Sequence, residues 1–174
     1  MERGFSGATI DAVSERSRVA RSTIYRHWPD LPALLIEAFS ELAGQPLGVP
    51  DTGTVRGDLV AVYTSLARGM VVAPSLQVLP SLADAASRDP RLEELLRQFI
   101  NARREPTREV LRRAIRRREL PRSTDIERLI DLIGSPLFYW RTVSRQPLDE
   151  PGLVEWLVDA GLAAVQASRA PRRR

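Results

Sequence analysis

Apolar residues recur along the chain at intervals of three and four positions, and no segment alternates convincingly with a period of two. Spacing of that kind gathers apolar side chains on one side of an α-helix, whereas a β-strand would need alternation. The pattern therefore predicts an all-α fold, with short helices at the start of the chain and longer helices after residue 54.

Three short helices are predicted within the first 43 residues. Thr9 is suited to cap the first, a break at 17–20 separates it from the second, and Pro29 ends the second before a third begins at Leu31. Two short helices joined by a break of three or four residues form a helix-turn-helix arrangement, here at residues 9–28.

Residues 44–53 are rich in glycine and proline, and they divide the chain into two predicted domains, 1–43 and 54–170. In the second domain we expect Pro106 to kink or break a long helix, and the sequence at 134–136 to distort another. The predicted helices of this domain run over 55–71, 76–87, from 90 toward 119, from 126 to 140, and over 151–168.

Composition narrows the function classes. Hydrophobic residues make up 43% of the 174 residues, and cysteine is absent, which excludes disulfides, thiolate nucleophiles and cysteine-based zinc sites. The opening residues hold no apolar run typical of a signal peptide, and no stretch approaches the roughly 20 apolar residues of a membrane span. We therefore expect a cytoplasmic protein with no membrane contact.

The charge distribution does not by itself indicate nucleic-acid binding. The net charge is +4, but residues 1–43 hold five arginines against six acids, so the basic excess lies later, at 111–118 and in the tail 169–174. The 111–118 stretch has two interpretations, a second nucleic-acid patch or a solvated helix end whose arginines complement the macrodipole, and the second is favoured. DNA binding must then come from local geometry.

That geometry is offered by the second helix of the motif, which is expected to expose Arg21, Ser22, Tyr25, Arg26 and His27. A helix fits the major groove of B-DNA, where hydroxyl groups donate to phosphates and arginine reaches phosphate or guanine. His27 is the only histidine and has no cysteine or acid cluster around it, so a catalytic or metal role has no support. We predict no catalytic residues, no metal site, no cofactor and no enzyme activity.

The motif resembles the DNA-binding region of the tetracycline-repressor (TetR) family. The residues that carry this resemblance are Gly4-Phe5, Ala8-Thr9-Ile10, Ala12-Val13, Val19 and Ser22-Thr23-Ile24-Tyr25-Arg26-His27-Trp28-Pro29. The resemblance implies a dimeric bacterial transcription regulator, usually a repressor, with a three-helix DNA-binding domain and a helical domain for ligand binding and dimerisation. Its DNA would be a near-palindromic double-stranded operator, and its effector an unknown small molecule.

Carried over by position, the resemblance implies DNA contacts from seven residues, with Trp28 packed beneath the recognition helix. They are Thr9, Arg21, Ser22, Thr23, Tyr25, Arg26 and His27. The penultimate helix would help to line the ligand cavity, which implies ligand contacts from Tyr139 and Trp140. Tyr63, Met70 and Phe99 are further candidates for the cavity wall, and core packing is the favoured interpretation for each of the five. The last two helices would form the dimer interface, aided by the small residues Ala160, Gly161, Ala163 and Ala164.

Three departures from the family pattern carry expectations of their own. Most of the apolar helix that usually precedes Gly-Phe is absent, so we expect Val13, Ile24, Trp28 and Phe39 to be partly uncovered, in a truncated chain or a loosely folded head. Arg18 replaces the usual glycine of the turn, and Ala20 replaces the usual serine cap. The alternative function is therefore a dimeric helical sensor module whose DNA-binding head does not work.

Overall fold

A computed structural model describes residues 8–43, 48–72 and 75–167 of the chain. Within these ranges it contains eight α-helices and no strand. The helices are α1 (Ile10–Ser17), α2 (Arg21–His27), α3 (Leu31–Ala43), α4 (Val55–Val72), α5 (Ser75–Ala86), α6 (Pro90–Arg116), α7 (Ile126–Thr142) and α8 (Leu153–Ala167). The all-α prediction is confirmed, and each predicted helix is present within a few residues of its expected ends.

Two of the helices continue through an internal proline. Helix α6 runs from Pro90 to Arg116 through Pro106, and α7 continues through Pro136. Of the two outcomes expected at Pro106, a break is therefore wrong, and a kink stays a prediction. A proline inside a helix removes one hydrogen bond, but Pro106 is itself buried and is followed by Val110 and Leu111, which are both fully buried, so packing outweighs that loss.

The chain divides into two compact units. The N-terminal unit comprises Met1–Gln45 and Ala73–Ala102, and the C-terminal unit comprises Pro46–Val72 and Arg103–Arg174. Helix α6 contributes its first half to one unit and its second half to the other. The division falls at Ala102, whose carbonyl lacks its usual helical partner because Pro106 has no N–H.

The core of the N-terminal unit joins α3 to α5 and to the first half of α6. Its buried members are Leu35, Phe39, Leu82, Ala86, Leu92 and Leu96. The Phe99 ring packs edge-on against Phe39, with ring centroids 5.1 Å apart. This cluster covers Phe39, and Ile24 is also only 2% exposed, so the expectation that these two side chains would be uncovered is wrong. Val13 and Trp28 are half-buried.

In the C-terminal unit, α4 contacts α7 and α8, and these two helices contact each other. Gly161 of α8 makes the approach to α7 possible, because a Cβ atom at this position would lie only 2.6 Å from Cγ1 of Ile133. Its lack of a side chain therefore serves packing within one chain, whereas Ala160, Ala163 and Ala164 are exposed.

A fully buried carboxylate fixes the start of α4 in this unit. Asp58 accepts hydrogen bonds from the backbone N–H and the hydroxyl of Thr52, at 2.6 and 2.8 Å, and from Arg113 and Arg117 of the α6 end, at 2.8 and 3.1 Å. Burial raises the pKa of Asp58, but the hydrogen bonds from Thr52, Arg113 and Arg117 outweigh burial and hold it below its ordinary value. Glu119 extends the network by accepting from the N–H of Val55 at 2.5 Å.

Helices α6 and α7 are joined by a row of ion pairs on their surface. Arg104 contacts Asp131 at 2.7 Å, and Arg108 contacts Glu127 at 2.6 Å. Arg108 is mostly covered, whereas its partner Glu127 is half exposed, so the pairs orient the two helices more than they stabilise them.

Replacement of Asp58 by Asn should lower the free energy of unfolding by about 3 kcal/mol, because it leaves the Arg113 charge without its buried partner. The measurement is urea unfolding followed by circular dichroism at pH 7. Asp159→Asn is the matched control, since Asp159 pairs with Arg56 on the surface, and it should change stability little. Equal losses in the two variants would contradict the buried network.

The stability difference between wild type and Asp58→Asn should also depend on pH. Because the folded-state pKa of Asp58 lies below its ordinary value of 3.8, the network contributes fully above that pH. The contribution is lost as pH falls through the folded-state pKa, so unfolding curves of the two proteins should converge below pH 3.8. A gap that stays constant from pH 7 into this acid range would contradict the assignment.

Candidate DNA interface

The first helix of the motif is capped as its sequence predicts. The Thr9 hydroxyl accepts from the N–H of Ala12 at 3.1 Å. The turn that follows is held by the Ser14 hydroxyl, which donates to the carbonyl of Val19 at 2.7 Å. Arg18 ends α1 in the left-handed conformation, with φ of 59°, at a cost of roughly 1–2 kcal/mol for a residue other than glycine.

The second helix begins without a side-chain cap. Ala20 occupies the cap position, and its carbonyl accepts from the N–H of Ile24 at 3.1 Å, but it offers no acceptor to the free N–H groups of the first turn. At the other end, the N–H of Trp28 donates to the carbonyl of Ile24 at 2.9 Å. The helix is thus a rod of seven residues.

One residue anchors this helix, and five of its other six residues are exposed. Ile24 is the buried residue of α2, Thr23 is half-buried, and the Tyr25 ring is 54% exposed. The other exposed residues are Arg21, Ser22, Arg26 and His27. Helix α2 therefore offers hydroxyl and guanidinium donors to solvent on one continuous surface, as its helical spacing predicts. Their contact with DNA stays a prediction.

The first residue of the rod already has a partner. Arg21 forms an ion pair with Asp11 of α1, with 2.9 Å between its Nε and Oδ1, and both side chains are well exposed. Residue spacing gives no sign of this pair, because it depends on how α1 and α2 cross. A phosphate that approached Arg21 would compete with the Asp11 carboxylate.

The region after α2 connects the motif to the rest of its unit. Asp30 caps α3 by accepting from the N–H of Ala33 at 2.8 Å, and its second oxygen lies 3.7 Å from Arg91 of α6. The Trp28 indole packs beside His27, and its buried N–H has no hydrogen-bond partner among the described residues. Trp28 is thus an anchor beneath the exposed surface.

The five residues predicted to contact a ligand lie in different surroundings. Tyr63 is buried, its hydroxyl donates to the carbonyl of Ile130 at 3.2 Å, and burial raises its pKa. Met70 is buried, Trp140 half-buried and Tyr139 mostly exposed, all in the C-terminal unit, whereas Phe99 belongs to the N-terminal unit. Their ligand-binding role stays a prediction.

Two kinds of functional feature, a cluster of metal ligands and a membrane-spanning helix, are absent from the described residues. Within 8–43, 48–72 and 75–167, no three acidic or histidine side chains gather as metal ligands would. No helix in these ranges combines the length and the apolar character needed to cross a bilayer. Gly4, Phe5 and the arginine-rich tail at 169–174 lie outside the described residues.

Comparison with known proteins identifies the family. A family model described as "Bacterial regulatory proteins, tetR family" matches residues 1–38, and one described as "Tetracyclin repressor-like, C-terminal domain" matches residues 49–160. The chain belongs to the TetR family. It is a DNA-binding transcriptional regulator of the helix-turn-helix type, as the motif at 9–28 predicts.

The similarity of this TetR-family chain to its relatives extends over nearly its whole length. It is 34% identical to the HTH-type transcriptional regulator YdeS of Bacillus subtilis, over 98% of this chain and 85% of that protein. It is 29% identical to the HTH-type transcriptional regulator Rv1556 of Mycobacterium tuberculosis, over 91% of this chain and 77% of that protein. The crystal structure of the TetR family transcription regulator SCO0332 matches with a TM-score of 0.69 and 29% identity, over 91% of this chain and 87% of that one.

Replacement of Ala20 by Ser should stabilise the motif by about 1 kcal/mol, because the new hydroxyl can accept from a free N–H of the first turn of α2. The measurement is local: amide hydrogen exchange of residues 21–27, which should slow about fivefold. Ala20→Val adds side-chain volume without an acceptor and is the control. Equal slowing in both variants would show that the missing cap does not limit α2.

Proposed function

We propose that this TetR-family chain is a homodimeric repressor released from its operator by a small-molecule ligand. Each subunit places α2 in a major groove of a near-palindromic site, with the two grooves about 34–36 Å apart or a multiple of that distance. The observation that carries the proposal is the outward surface of α2, which is anchored through Ile24 and presents Tyr25, Arg26 and their neighbours to solvent.

The proposed roles follow from side-chain chemistry. The Ser22, Thr23 and Tyr25 hydroxyls donate to phosphate oxygens and fix the position of the helix, whereas Arg26 reaches a phosphate or a guanine. Thr9 and His27 contact the backbone at the two ends of the motif. Arg21 takes part when phosphate displaces Asp11.

An exposed apolar face supports dimerisation through α7 and α8. Leu132 and Tyr139 lie seven positions apart on one side of α7, Val143 directly follows the end of this helix, and each of the three is at least half exposed. On α8, Trp156 is 62% exposed and is followed by exposed alanines that allow close approach of a second helix. Large apolar side chains gathered on adjacent helices are typical of an interface between subunits.

Ligand control requires that the ligand bind one dimer geometry better than the other. A coupling of about 1–3 kcal/mol is typical of such regulators. We assign the ligand contacts to the predicted residues of the C-terminal unit, with Tyr139 and Trp140 as hydrogen-bond donors. For Tyr63 to serve a ligand, it must give up its bond to the Ile130 carbonyl.

The DNA-binding surface is tested by mobility shift with the DNA upstream of the protein's own gene. Tyr25→Ala and Arg26→Ala should each weaken binding about tenfold. If Arg26 contacts a phosphate, its loss should also reduce by about one the slope of the logarithm of the binding constant against the logarithm of the salt concentration. Arg68→Ala is the matched control, because Arg68 is an exposed arginine of α4 that forms no ion pair with the described residues. Binding that both substitutions leave unchanged would overturn the assignment of α2. A wild-type chain that stays dimeric but binds no DNA would favour the sensor module without a working head.

The dimer interface is tested by sedimentation velocity. Trp156→Glu should convert the dimer to monomer, because a carboxylate in the interface would lose its hydration without gaining a partner. Val72→Glu places the same charge at an exposed apolar position of α4, 78% exposed, and should leave the dimer intact. Dissociation in both variants, or in neither, would contradict an interface through α8.

A further inference from the structure

The end of α6 and the turn that follows it form a concave site in the C-terminal unit. Its volume is about 450 Å³, within the range of small-molecule sites. The lining consists of Ile115, Arg116, Arg118, Leu120, Pro121 and Arg122. Three apolar side chains therefore meet three guanidinium groups in one pocket.

Most arginines of this region are neutralised by acids. Arg113 and Arg117 form ion pairs with Asp58, and Arg116 forms one with Glu109 at 2.6 Å. In contrast, Arg118 and Arg122 are exposed, and their guanidinium groups make no ion pair or hydrogen bond with the described residues. Two positive charges of the pocket therefore have no ion-pair partner among the described residues. They create a local electrostatic potential that attracts anions.

These arginines are not needed to cap the helix. At the end of α6, the N–H of Arg118 donates to the carbonyl of Ile115 at 3.1 Å, and the N–H of Glu119 donates to the carbonyl of Ala114 at 3.0 Å. Backbone groups therefore satisfy the last carbonyls, as in a Schellman ending. The partial negative charge of the helix end, about half a unit, is smaller than the two free guanidinium charges.

The floor of the pocket determines what kind of anion fits. Leu120 is buried, and Ile115 and Pro121 are half-buried, so the pocket also offers apolar surface beneath the guanidinium groups. Guanidinium groups bind carboxylate and phosphate oxygens with paired hydrogen bonds. We infer that this pocket binds a small organic anion, with a phosphate or carboxylate group held by Arg118 and Arg122 and an apolar body against Leu120.

The experiment is calorimetric titration of the full chain with three probes: phenyl phosphate, inorganic phosphate and phenol. Phenyl phosphate should bind once per chain, about tenfold more tightly than inorganic phosphate, and phenol should not bind, because the site needs both a charge and an apolar body. The double substitution Arg118→Gln with Arg122→Gln should weaken phenyl phosphate binding at least about tenfold.

Arg68→Gln with Arg145→Gln is the matched control, because it removes the same charge from two other exposed arginines of this unit. It should leave binding unchanged, and both double variants should keep the wild-type circular dichroism spectrum. Equal weakening in the two double variants would overturn the site in favour of diffuse attraction, as would equal binding of phenol. Binding of a non-operator DNA duplex to the wild-type chain that displaces phenyl phosphate, and that is weakened in the Arg118 and Arg122 variant but not in the control, would overturn the site in favour of a nucleic-acid patch.

Discussion

The exposed surface of α2, which we propose to contact DNA, depends on the burial of one side chain, Ile24. A seven-residue helix without a side-chain cap is too short to form by itself in water, since nucleation costs more than so few hydrogen bonds return. Helix α2 exists because Ile24 is inserted among its neighbours and because Trp28 closes its end through the bond to the Ile24 carbonyl. Every exposed donor from Arg21 to His27 takes its direction from that anchor, so a substitution at Ile24 would disturb all of them at once.

A second constraint is the large number of arginines in a chain without lysine. Guanidinium groups match carboxylates geometrically, and the C-terminal unit uses this property to join α4 to α6 through Asp58 and α6 to α7 through Glu127 and Asp131. The arginines of the basic stretch at 111–118 are consequently mostly paired with acids of the same unit, a pairing that neither interpretation of the sequence anticipates. Arg118 and Arg122 differ from the rest because no described acid faces them.

Local signals in the sequence predict the elements well because caps, turns and helical spacing act over a few residues. Thr9, Asp125 and the break at 17–20 are examples, and the left-handed conformation of Arg18 follows from the family position of glycine. Contacts between elements were beyond such signals. The Arg21–Asp11 pair, the cover that Phe99 provides for Phe39 and the packing of Gly161 against Ile133 depend on how helices cross. For the same reason Pro106 is misleading: its local cost is visible in the sequence, but the buried packing that outweighs it is not.

The weak net charge of residues 1–43 gives a reason for the exposed apolar side chains of α7 and α8. Residues 1–43 carry one more acid than base, and Arg21 is already paired, so a single head has little long-range attraction for DNA. Two heads held at a fixed separation change this balance, because binding of the first places the second near its half-site at a high effective concentration. A regulator with so few free cations at its recognition helix needs a stable dimer more than one with a strongly basic head. Under the proposed function, the large exposed apolar side chains, Trp156 above all, would therefore be as much a part of DNA recognition as Tyr25 and Arg26.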